Sequence, residues 1–108
     1  MRYRLIMSRK RRSYPTRLIV NKRIINEVII DPHYEVNHSY MTDELIYELV
    51  KNLNNQRFIP KDRKKPWYYF EADVEHDGKN YRLVWCLEDN QDYLGVINCY
   101  KKKSHDKK

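Results

Sequence analysis

Three groups of residues have the types and spacing to do chemistry. The first is Arg82, set in the otherwise apolar run Tyr81-Arg82-Leu83-Val84-Trp85. An unpaired guanidinium is costly in such a strand, so Arg82 is expected to reach a phosphate, open solvent at a cleft, or a carboxylate such as Asp73 or Glu71. The second is Asn98 and Tyr100, which share a face by the two-residue period of a strand and lead into Lys101 and Lys102. Tyr100 can also serve simply as an edge aromatic covering the core. The third is His33 and His38. Imidazole titrates near neutrality without help from its surroundings, which suits it to general acid or base work. Either histidine can equally cap a helix or bond a backbone carbonyl. His76, beside a turn, and His105 read as solvated surface residues.

Metal chemistry is not expected. The segment holding His33 and His38 is not helical, so the two do not share a face as an H-x-x-x-H pair does, and neither cysteine is near them in sequence. Cys86 and Cys99 should lie about five residues apart along paired strands, or ~16 Å at 3.3 Å per residue. A disulfide cannot bridge that distance, and two buried, reduced thiols fit a cytoplasmic protein. There is no glycine-rich phosphate loop and no G-x-S-x-G, and no cofactor is expected.

The elements that must position these residues follow from periodicity and turn chemistry. Residues 1–16 are basic and end at Tyr14-Pro15, which reads as a poorly ordered arm. Arg17–Val20 and Ile24–Ile30 are rich in β-branched residues around Asn21-Lys22, a two-residue hairpin turn. Asp31-Pro32 ends that hairpin. Met41–Leu53 has helical periodicity, with Thr42 as N-cap, Asp43 and Glu44 in the first turn, and Met41 placed to pack on Ile46. Trp67–Glu75 alternates, Asp77-Gly78 is a hairpin turn, and Tyr81–Leu87 and Tyr93–Tyr100 complete a meander. The expected fold class is α+β: one main helix packed on a three- to four-stranded antiparallel β-meander, with the N-terminal hairpin extending or covering an edge. One domain over 17–102 lies between the basic arm and a basic tail, 103–108.

The chain has 108 residues and a formal charge of +7. No apolar run approaches the ~20 residues of a membrane span, and Arg2 and Arg4 interrupt any secretory leader. The charge is segregated. Residues 1–17 hold seven basic side chains and no acid, 57–65 hold five against Asp62, and 101–108 hold five against Asp106, leaving the remainder net acidic. Segregation of this kind builds an electropositive patch for a polyanion. Nucleic acid satisfies it, as does an acidic protein segment. The exposed-looking aromatics Trp67, Tyr68 and Tyr69 suggest base stacking by a non-catalytic binding module.

The final meander supplies a more specific pattern. Tyr81-Arg82-Leu83-Val84-Trp85, the acidic turn Glu88-Asp89-Asn90 and the strand Leu94–Lys102 together resemble the C-terminal half of RelE/ParE-like toxins of toxin–antitoxin modules, within the wider group of barnase-like and colicin-type ribonucleases. The resemblance covers about residues 31–102. It implies a small endoribonuclease acting without metal, in which the ribose 2′-OH attacks the adjacent phosphate to give a 2′,3′-cyclic phosphate. By that resemblance His33, His38, Arg82 and Tyr100 would be catalytic, and Asn98, Lys101, Lys102, Arg63, Lys64 and Lys65 would bind substrate. The partners implied are RNA (messenger or transfer RNA, in some members on the ribosome) and an acidic antitoxin. The early hairpin departs from the family's two-helix N-terminal arrangement, and the outward face of 67–75 is acidic. ParE-like members instead act by docking to a protein target.

Overall fold

The computed structural model describes residues 11–32 and 40–102. In chain order the elements are β1 (Arg12–Val20), β2 (Arg23–Ile30), α1 (Asp43–Lys51), β3 (Asp62–Lys64), β4 (Trp67–His76), β5 (Lys79–Glu88) and β6 (Tyr93–Lys101). All six strands join one sheet in the order β1-β2-β6-β5-β4-β3. Its pairings are antiparallel except β2 with β6, which is parallel from Glu27↔Tyr93 to Ile30↔Val96.

This overturns the expected helix on a three- to four-stranded antiparallel meander. Of the described residues 59% are strand and 11% helix, in a six-stranded mixed sheet. The early hairpin extends the β6 edge of the meander, and does so by parallel rather than antiparallel pairing. It docks parallel to β6, which thereby becomes a central strand with neighbours on both sides. β1 also starts at Arg12, inside the stretch expected as an arm.

Local chemistry explains the elements. Asn21 and Lys22 have φ of 54° and 63°, the two left-handed residues of a type I′ turn. Asp77 and Gly78, at 53° and 78°, repeat that geometry between β4 and β5. The Thr42 hydroxyl accepts from the Leu45 N–H at 3.1 Å, capping α1 above Asp43 and Glu44. Ile46, Leu49 and Val50 of α1 are buried against one sheet face. That face supplies Leu18 and Val20 of β1, Val28 and Ile30 of β2, Phe70 and Val74 of β4, and Leu83, Trp85 and Leu87 of β5. Trp85 is the largest fully buried side chain. It stacks on Phe70 at 5.3 Å and meets Phe58 edge-on at 5.0 Å.

A candidate nucleic-acid interface and the open face of the sheet

The sheet face away from α1 carries Arg82. Its register partners are Asp73 on β4 and Tyr100 on β6, so the three stand in one cross-strand row. Asn98, opposite Val84, lies in the adjacent row, and its side-chain oxygen accepts from the Cys99 N–H at 2.9 Å. The sheet thus sets Arg82, Tyr100 and Asn98 on one face.

The guanidinium is engaged by carboxylates. Arg82 Nε donates to Asp73 Oδ1 at 2.6 Å, and Nη1 lies 3.3 Å from Glu71 Oε1. The second Asp73 oxygen receives Lys102 Nζ at 2.8 Å. Two cations and two anions leave the group neutral. Partial burial works to raise the Asp73 pKa, but hydrogen bonds and charge from Arg82 and Lys102 outweigh it and hold the carboxyl below its ordinary range. Arg82 is held above its usual value, chiefly by the hydrogen bond to Asp73. The partner for Arg82 is thus one of those the sequence offers; the tie from Lys102 is not legible there.

Lys101 is separate from this group. It pairs with Tyr81 on the helix-side face, and its N–H donates to the Tyr40 hydroxyl at 3.0 Å. Arg63 and Lys64 are on β3 and Lys65 in the following turn, all exposed. Register places them three strands from β6 and about five residues further along, about 20 Å from Arg82 and Tyr100 at ordinary strand spacings. The residues expected to bind substrate are therefore divided between two places. His33, His38, His105 and the basic segments 1–10 and 103–108 lie outside the described residues. His76 is 3.8 Å from Asp77 beside its turn.

Between the ionic group and β3, the face away from α1 holds Val84, Cys86 and Tyr69, all buried. Burial pushes the Cys86 thiol up to about 12, and Cys99, on the helix side, likewise to about 12. Both cysteines are free. Further along, Trp67 Nε1 donates to the Tyr93 hydroxyl at 3.2 Å, which donates to Glu88 at 2.7 Å. These placements restrict the stacking surface expected of residues 67–69 to the half-buried Trp67 and Tyr68. Tyr69 is buried, the Trp67 ring is held by Tyr93, and Tyr68 packs against the core.

The connection from α1 to β4 is different. Arg57, Lys61, Arg63, Lys64 and Lys65 are all exposed, and among the described residues none of the five forms an ion pair. The neighbouring acid, Asp62, turns its carboxylate to the Arg63 backbone N–H at 2.9 Å. The backbone is fixed at both ends. Asn21 clasps Phe58 through Nδ2 to its carbonyl (3.0 Å) and Oδ1 from its N–H (2.7 Å). The Lys61 N–H donates to the Tyr69 carbonyl at 2.7 Å. Lys22, exposed at the hairpin tip, follows the Asn21 that clasps Phe58. On a three-residue edge strand, lysines also discourage pairing with another sheet.

Among the described residues no group of three or more His, Cys, Asp or Glu side chains could hold a metal, and no helix is long and apolar enough to cross a membrane. No family model, curated protein or solved structure matches the chain. The likeness to RelE/ParE-like toxins therefore rests on the strand and turn motifs alone.

Proposed function

We propose that the protein binds nucleic acid through the basic connection Arg57–Lys65 and its edge strand, as a sequence-tolerant binding module. The observation that carries this reading is the contrast between two sets of cations. Arg82 and Lys102 are neutralised by Glu71 and Asp73, whereas the five cations of 57–65 are exposed and, among the described residues, unmatched by carboxylates. Unmatched surface cations on a fixed backbone are the form that exchanges condensed counterions for phosphate contacts.

Anisotropy titrations of labelled single-stranded RNA against salt test it. With three to five phosphates contacted, the slope of log K on log salt should be about −2 to −3.5. The triple variant Lys61→Glu, Arg63→Glu, Lys64→Glu should abolish binding; unchanged binding by that variant would reject the interface.

A second reading, an endoribonuclease restrained by an acidic antitoxin, is favoured by the Arg82–Tyr100 cross-strand pair. It requires Arg82 to exchange a carboxylate for phosphate. The same RNA incubated with protein in EDTA and inspected for 2′,3′-cyclic phosphate ends separates the two readings. Cleavage lost in Arg82→Ala and Tyr100→Phe would establish the nuclease, and binding without cleavage the module.

A further inference from the structure

In the middle of the basic connection stands Ile59, 86% exposed, the most exposed large hydrophobic side chain among the described residues. A lone exposed isoleucine ordinarily needs no explanation. This one differs in how it is held and in what surrounds it. Phe58 before it is clasped by Asn21 at both its N–H and its carbonyl, and its ring is wedged against Trp85. Lys61 after it is hydrogen-bonded to Tyr69, and Pro60 restricts the backbone between. The side chain is thus displayed from a backbone ordered before any partner arrives, so little entropy remains to be lost on contact. Arg57 and Lys61 lie two residues to either side, within about 7 Å along the chain.

We propose that Ile59 is a base-contacting wedge: the flanking cations take the phosphates while the isoleucine packs against unstacked bases of single-stranded nucleic acid. This rests on the nucleic-acid reading above and adds a contact that phosphate binding alone does not need. Apolar wedges flanked by cations are an established way to engage bases without reading their hydrogen-bonding edges, and single strands offer base faces at no unpairing cost. Trp67 and Tyr68 are half-buried and Tyr69 is buried, so Ile59 is the most exposed apolar group at this surface.

The test compares a short single-stranded RNA with an abasic backbone of the same length, and wild type with Ile59→Ala and Ile59→Trp. Wild type should prefer the base-bearing strand by roughly five- to twentyfold, the scale of burying a few methyl-sized groups. Ile59→Ala should lose that preference while keeping wild-type affinity for the abasic strand and an unchanged salt slope. Ile59→Trp should restore or exceed it. Equal RNA affinity for wild type and Ile59→Ala would overturn the wedge and leave the basic interface standing. Failure of wild type to bind either strand would instead remove the nucleic-acid reading itself. Ile59-dependent binding to vesicles of anionic phospholipid, with the RNA preference absent, would also overturn the proposal by assigning the side chain to a membrane surface.

Discussion

Arg82 shows how a residue that looks catalytic in sequence is shaped by its register. Its position opposite both Asp73 and Tyr100 puts its guanidinium within reach of a carboxylate, and the folded protein engages that carboxylate. The Asp73 pKa is lowered on folding. Its charged form therefore stabilises the fold above the unfolded value of 3.8, and that contribution fades as pH falls through the folded value. Asp73→Asn should cost about 0.5–1 kcal/mol at neutral pH, since the pair is partly exposed. The difference from wild type should shrink as pH falls below 3.8 and vanish below the folded value, as urea titrations at several pH values will reveal. Cys86 and Cys99 give a second residue-level expectation. With both thiols buried and pushed up to about 12, neither should react with a thiol reagent at neutral pH until the protein is unfolded.

The elements differ in how openly the sequence announces them. Both I′ turns, the Thr42 cap and the alternation of β4 are legible because each depends on residues within a few positions of one another. β3 is not, because Asp62, Arg63 and Lys64 carry no apolar alternation and become a strand only by pairing with β4. The start of β1 was hidden by charge. Arg12 and Tyr14 read as part of a basic arm, yet both reach Asp43: the guanidinium at 2.5 and 3.0 Å, the phenol at 2.5 Å. Asp43, legible as a first-turn acid, is therefore also the fastener of β1 to the helix. Asn21 fastens the other end of the hairpin. Asn21→Ala should cost about 2–3 kcal/mol, from two hydrogen bonds and a left-handed backbone less suited to alanine. Lys22→Gly should stabilise by about 0.5–1 kcal/mol, because glycine adopts positive φ without strain. Urea unfolding of the two variants checks both signs.

At the scale of the whole molecule, acidic and basic residues are sorted by use. The acids on the open face and at the helix start are largely engaged with Arg12, Arg82 and Lys102, while the cations of 57–65 face solvent. The triple charge reversal proposed above should therefore shift unfolding stability by less than about 1 kcal/mol while removing polyanion binding, a separation that thermal melts and titrations on the same sample will show. The candidate interface was legible in the sequence as a charge run. Its division from Arg82 was not, since distance across a sheet depends on strand order, and strand order hinged on one nonlocal pairing.

That pairing, β2 alongside β6, has a temporal consequence. Residues 27–30 meet 93–96, so the sheet's middle stays open until distant stretches of chain encounter one another. Loop-closure entropy must be met before the hairpin gains its neighbour. Stopped-flow refolding should accordingly run in milliseconds to seconds, with β1–β2 and β4–β5 able to zip early as separate hairpins. Amide exchange pulsed during refolding should find the hydrogen bonds between β2 and β6 shielded last, after the β1–β2 hairpin and the β4–β5–β6 meander have each formed.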